Sequence, residues 1–270
     1  SAGFHLRGGI AGYRRSRYLL GKSVLLAMKS VSNFAAFVLV PACGVFFLWW
    51  GLAKIVDGGA LSGAIASIFA LAAFGFSAQW AVMRFMADPR GDFSSEGTTI
   101  RPRKLFDVLS LFWMGSAVLA AGLFVTFAPF GYVDIPTYRS STPWMMVFIL
   151  VTGVATLWRM IAHGGDCYLR LTPDRCEVWN GPWLAFRRAN WEDIEQIQDH
   201  PLRRKLRGRE LVVLALPEGR SATLLSDCVT DNSEALRDWV RFYWQHPEYR
   251  DELVDGRGLQ RLDDQKFTVE

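Results

Sequence analysis

The densest chemistry in the chain is HPLRRKLRGRE, residues 200–210, where Arg203, Arg204, Lys205, Arg207 and Arg209 put five cations into eleven positions. Clustered guanidinium and ammonium groups attract anions, so nucleic acid, a lipid headgroup and an acidic protein surface all compete for this segment. Nucleic-acid binding needs a basic folded module. Residues 164–270 instead carry 16 Lys/Arg against 20 Asp/Glu, which speaks against nucleic acid. A solvated loop positioned electrostatically against membrane lipid or a partner subunit is expected, in preference to a dedicated headgroup pocket, and the choice between lipid and protein stays open.

Three further stretches carry groups capable of catalysis. HGGD, residues 163–166, sets an imidazole near a carboxylate, and the plainer reading is a glycine turn releasing the chain from a helix. Glu192, Asp193 and Glu195 cluster carboxylates that read as the solvated side of a strand. Ser226, Asp227 and Cys228 have no histidine nearby in sequence. No G-x-S-x-G, Walker or H-E-x-x-H pattern is present, so an enzyme is not expected. His5, His163, His200 and His246 lack ligand spacing, and Cys43, Cys167, Cys176 and Cys228 form no C-x-x-C pair. Neither a metal nor a cofactor is expected.

What must position these residues follows from hydropathy. Half of the side chains are hydrophobic, at 51%, and the chain has four long runs without charge: 31–53, 58–83, 108–133 and 140–158. About 20 apolar residues in a helix cross the hydrocarbon core, so four spans are expected. The positive-inside rule then sets their orientation. Arg7, Arg14, Arg15, Arg17, Lys22 and Lys29 precede span one, and Arg84, Arg90, Arg101, Arg103 and Lys104 lie between spans two and three. The alternate connections carry only Lys54 and Arg139. Both termini are therefore expected in the cytoplasm, in an inner-membrane protein. Trp49, Trp50 and Trp144 mark the outer boundary, and Trp80 and Trp158 the inner one.

Residues 18–33 read either as an interfacial helix or as an extension of span one. Pro41 is expected to kink that span, because its ring displaces a backbone hydrogen bond. No span has an ionisable residue near its centre, which argues against a self-sufficient pump or channel. In span two, Ser62, Ala66 and Ala70 recur every four residues, as do Gly63 and Ser67. Such faces let helices approach closely, either within the bundle or onto another membrane subunit.

The rhythm changes after residue 166. CYLRLTPDRCEVWNG reads as two strands about Pro173-Asp174, and LAFRRANWEDIEQIQ as another strand pair about Ala189-Asn190. ELVVLALPEGRSATLLS is a hairpin closed by residues 217–220. Asp231 and Glu234 have capping spacing, and Leu236, Trp239, Val240 and Tyr243 share a helical face. The expected organisation is a cytoplasmic segment 1–33, a four-helix membrane domain 34–163 with a cytoplasmic loop 84–105, a domain 164–249 and a polar tail 250–270. The loop is expected to pack on the C-terminal domain. The tail has too few apolar residues for its own core, and a partner chain is one candidate for holding it.

Strands followed by one amphipathic helix follow the order of a pleckstrin-homology (PH)-like barrel. The stretch from LRLTPDRCEVWNG through FRRANWEDIEQIQ to RGRELVVLALPEGRSATLL resembles bacterial PH-like domains that follow transmembrane helices in actinobacterial membrane proteins. Its W-x-D-I-x-x-I pattern is Trp191 to Ile197, and the likeness covers roughly residues 166–246. In size, span count and Arg-over-Lys composition, 24 to 6, the chain resembles the small accessory subunit of mycobacterial MCE lipid-import complexes. The implied fold class is four transmembrane helices plus an α+β PH-like barrel with a C-terminal helix. The implied function is a non-catalytic subunit docking on transmembrane permease subunits; the alternatives are an independent sensor of anionic lipid and a lipid-modifying enzyme.

Overall fold

A computed structural model describes residues 34–86, 88–134, 141–181, 184–199, 211–230 and 232–268. The segment 18–33 and the basic cluster 200–210 lie outside the described residues.

Four apolar helices come first. Helix α1 (Val40–Val56) continues a π-helical turn over Ala35–Leu39, α2 spans Ala60–Phe85, α3 spans Lys104–Phe127 and α4 spans Thr142–His163. Each is long and apolar enough to cross a membrane, the shortest covering 22 residues, or about 33 Å at 1.5 Å per residue. The chain is a multi-pass membrane protein. A widened turn lies just before Pro41: Val40 N–H bonds to Ala35, five residues back. That turn precedes the position where the proline has no N–H to give.

Packing runs between consecutive helices. Helices α1 and α2 meet where Gly51 and Gly63 cross. A Cβ on Gly51 would come within 2.8 Å of the Gly63 carbonyl, and one on Gly63 within 2.5 Å of the Gly51 carbonyl. Only hydrogen fits there. Helices α2, α3 and α4 share a core of Ile65, Ala120, Ala121, Phe124 and Met146. At the far end, Lys54 pairs with Asp134, whose backbone N–H donates to Ser62 Oγ at 2.9 Å.

The connection between α2 and α3 is a hairpin, β1 (Arg90–Ser94) and β2 (Gly97–Arg101), where the sequence suggested a polar loop. Strands β3 (Cys167–Leu171), β4 (Arg175–Asn180) and β5 (Ala185–Asn190) follow α4. Together they form one antiparallel sheet in the order β1-β2-β3-β4-β5, with Ile100 opposite Leu169 and Thr98 opposite Leu171. The hairpin is thus part of the C-terminal domain's sheet, and the ends of α2 and α4 lie on the same side of the bundle.

A second sheet holds β6 (Gln196–Gln198), β7 (Leu211–Leu216) and β8 (Arg220–Leu225) in that order. The pair expected about Ala189-Asn190 does not form. Strand β5 pairs with β4 and β6 pairs with β7, because Trp191–Asp193 makes a 3₁₀ turn that carries the chain between sheets. The carboxylates of Glu192 and Asp193 therefore sit on a turn, not on a strand. Leu211–Leu216 is buried at every position. Such an unbroken apolar run suits a central strand covered on both faces.

Helix α5 (Ser233–Gln245) closes this unit, and Leu236, Trp239, Val240 and Tyr243 are all buried on its inner face. Its N-cap is Asn232, whose side chain accepts the Ala235 N–H at 3.0 Å. The cap expected at Asp231 lies outside the described residues. The tail is held by its own chain. Thr98 Oγ1 donates to the Leu253 carbonyl at 2.6 Å, and Trp239 Nε1 donates to Gly258 O at 2.8 Å. Helix α6 (Arg257–Asp264) brings Arg261 onto Glu252 through two bonds of 2.8 Å, with Tyr243 Oη donating to the same carboxylate at 3.0 Å.

Candidate functional site

A linked set of polar side chains lies where α2, α3 and α4 reach the first sheet. The HGGD stretch makes the corner. Gly164, at φ +68, caps α4, and its N–H and that of Gly165 return to the Ile161 and Met160 carbonyls. An L side chain adopts this backbone at a cost, which is why glycine stands here. Two groups from the inter-span connection clamp the corner. Arg101 donates to the Gly164 carbonyl at 2.6 Å, and Asp107, in the first turn of α3, accepts the Asp166 N–H at 3.0 Å. The sequence reading of a glycine turn agrees with this geometry, and it overlooked that the turn delivers Asp166 into a cavity.

That cavity has a volume of about 340 Å³. Its walls are Phe76, Trp80 and Met83 from α2, Phe106, Trp113 and Met114 from α3, Thr156 from α4, and Leu184 ahead of β5. Its polar end is a directed chain of hydrogen bonds. Trp113 Nε1 donates to Gln79 Oε1 at 2.6 Å, Gln79 Nε2 donates to Ser110 Oγ, and the Ser110 hydroxyl donates to Asp166 Oδ2 at 3.4 Å. Every donor in this chain points toward the carboxylate. Gln79, Ser110 and Asp166 are all buried, while Phe76, Trp80, Met114 and Leu184 are partly exposed. The floor is polar and the mouth apolar.

Burial pushes the Asp166 carboxyl up to about 6, repulsion from Asp107 adds to this, and the Ser110 hydrogen bond opposes it. Arg90 and Arg101 act on Asp107; the charge acting on Asp166 is another carboxylate. Behind it, Cys167 and Cys228 lie together, with Cys228 Sγ 3.8 Å from Met83 Sδ. Their mutual hydrogen bond and burial push the Cys167 thiol well above the usual range.

Of the residues named from sequence, Asp166 and Cys228 line the cavity, while the expected contact and packing residues fall elsewhere. Arg203, Arg204, Lys205, Arg207 and Arg209 lie outside the described residues. Ser62, Gly63, Ala66, Ser67 and Ala70 lie on α2 away from the cavity, four of them buried and Ser67 partly so. Gly63, Ala66 and Ser67 touch Gly51 of α1, so the small-residue face is occupied within the chain. Ser226 is fully buried, and the His163 ring stacks on Trp179 at 4.1 Å. Asp107, Gln79, Ser110 and Trp113 were passed over because the sequence argument asked only for ionisable groups near span centres. Gln79 within a 26-residue apolar helix was the available signal.

Fold and site define a multi-pass membrane protein whose antiparallel sheet domain is keyed into its helix bundle, with an acid-floored cavity at the junction. No protein-family model, curated protein or solved structure matches the chain.

Proposed function

We propose that the chain is a non-catalytic accessory subunit of a larger inner-membrane assembly, with both termini in the cytoplasm. The observation that carries this reading is the hairpin between α2 and α3. It makes the membrane bundle and the sheet domain one body, so a partner gripping either part fixes the position of the other. The bundle also offers surface for such a grip. On α4, Trp144, Phe148, Val151, Trp158 and Ile161 are each more than 60% exposed along the helix, spaced to form one apolar face. The enclosure of Ser226 and the stacking of His163 support a role without chemistry. Orientation is supported by the basic residues of the α2–α3 connection against Lys54 at the opposite end.

The domain itself fits a PH-like reading: strands β3–β5 form one sheet face, β6–β8 the second, and α5 closes the unit. The resemblance to accessory subunits of MCE-type lipid importers rests on chain size, the four spans and the Arg-over-Lys composition. Lipid transport is accordingly the process proposed for the assembly. The test is a pull-down of the tagged protein from native membranes in a gentle detergent, with mass spectrometry of what co-purifies. Stoichiometric recovery of permease and ATPase chains is the expected result. Recovery of the protein alone, at the mass of a monomer or dimer, refutes the subunit reading and puts an independent lipid sensor in its place.

A further inference from the structure

The junction cavity is built to hold something, and its chemistry says what. Burying a carboxylate away from water is costly unless a cation or hydrogen-bond donors meet it. Asp166 is 6% exposed. It receives one long hydrogen bond from Ser110, and the charge nearest in effect is the Asp107 carboxylate. The Ser110 hydroxyl is already committed between Gln79 and Asp166, and Gln79 Oε1 is taken by Trp113. The largest acceptor capacity left at the polar end, and the charged one, belongs to the carboxylate. An incoming group that donates hydrogen bonds and carries positive charge matches it; an anion is repelled by the Asp166 carboxylate.

The apolar half is equally informative. Aromatic and thioether side chains line the mouth, on helices that cross the membrane and at the end where they meet the sheet. That is the depth of the headgroup region. A volume of about 340 Å³ is at the small end for ligand sites and suits one headgroup with a short length of chain. Partly exposed Trp80 and Met114 give the rest of an alkyl chain an apolar path back to the bilayer. Aromatic rings facing an ammonium group add cation–π attraction.

We propose that this cavity binds the protonated amine headgroup of a membrane amphiphile, with the Asp166 carboxylate as its counter-ion. Ser110 and Gln79 hold the carboxylate in place, and Phe76, Trp80, Trp113 and Met114 enclose the carbons next to the nitrogen. This site is independent of the subunit reading above, since it needs no partner chain.

The test uses the full chain in dodecylmaltoside and native mass spectrometry. Dodecylamine is the probe, and laurate, with the same chain and opposite charge, is the control. One dodecylamine should be retained per chain, with laurate retained at least tenfold more weakly. Asp166→Asn, which keeps the shape of the side chain, should weaken dodecylamine binding about 30-fold or more, the usual consequence of truncating one partner of a buried charge pair. Near-UV circular dichroism of the variant verifies its fold, and the laurate comparison on the unaltered chain needs no variant. Equal retention of amine and laurate, or equal binding of amine by Asp166→Asn, overturns the proposal and leaves only an apolar crevice. Copurified phosphatidylethanolamine in preference to phosphatidylglycerol would support it with a bilayer phospholipid as source. Retention of dodecylamine without a copurified phospholipid would support it with single-chain amines as the class.

Discussion

Replacing Asp166 with Asn should stabilise the ligand-free protein, and do so more as pH rises. In the folded chain this carboxyl titrates at about 6 against an ordinary 3.8. Between those values the unfolded chain has lost the proton and the folded chain keeps it, so stability falls as pH climbs through the window. At about 1.4 kcal/mol per pH unit, the full cost above pH 6 is about 3 kcal/mol. Roughly half of it is already present at pH 5, leaving about 1.5 kcal/mol to appear between pH 5 and pH 8. For a chain of this size that corresponds to about 3–6 °C in Tm. The assay is thermal unfolding followed by tryptophan fluorescence in dodecylmaltoside at pH 5, 6, 7 and 8. The Tm advantage of Asp166→Asn over the unaltered chain should widen by that amount across the series. A constant offset, or a variant less stable at pH 8 than at pH 5 by the same margin as the parent, would refute the idea that a buried, repelled carboxylate sits at the junction. Glu252 leaves this range undisturbed. Its bonds from Arg261 hold it below its ordinary value of 4.5, so the stability it contributes is present above 4.5 and is lost only as pH falls below it.

Three other outcomes are expected. Thr98→Val removes the donor to the Leu253 carbonyl and leaves that buried acceptor unmet; the cost should be about 1–3 kcal/mol, read as faster hydrogen exchange over residues 247–264. Arg261→Ala should cost on the order of 2 kcal/mol and expose the tail to limited proteolysis at pH 7. As pH falls below 4.5 and Glu252 is finally protonated, the difference between variant and parent should shrink. Gly63→Ala forces a Cβ against the Gly51 backbone and should lower Tm by several degrees, while Gly115→Ala, whose Cβ meets nothing within 4 Å, should be neutral; equal effects would argue against the close helix crossing.

Much of the architecture was readable because single physical terms dominate it. Charge-free runs of about 20 residues or more have few solutions besides a span, and each run holds one helix. Leu211–Leu225 declared its hairpin through two apolar runs about Pro217-Glu218-Gly219. The hairpin at 90–101 did not, because β1 is an edge strand with most side chains exposed, Phe93 at 57%. Its core contribution is little more than Ile100 and Thr98, and two inward residues leave no period to detect. The tail was opaque for a related reason. Its order comes from backbone carbonyls of Leu253 and Gly258 meeting side chains far away in sequence. The cavity was the hardest feature to foresee, since Gln79, Ser110, Thr156 and Asp166 stand on separate elements and only the fold brings them together.

The hairpin between the second and third helices has a consequence for how the protein is made. At a synthesis rate of about 5–20 residues per second, β2 waits several seconds for β3, which emerges only after two more helices have been made. During that interval its outer edge has no neighbour. If only one of the third and fourth helices crossed the bilayer, β3 would emerge on the opposite side and the five-stranded sheet would stay split into two and three strands. Completion of the sheet thus couples to the topology of the membrane domain: a misinserted chain carries an unpaired strand edge, and a correctly inserted chain conceals it.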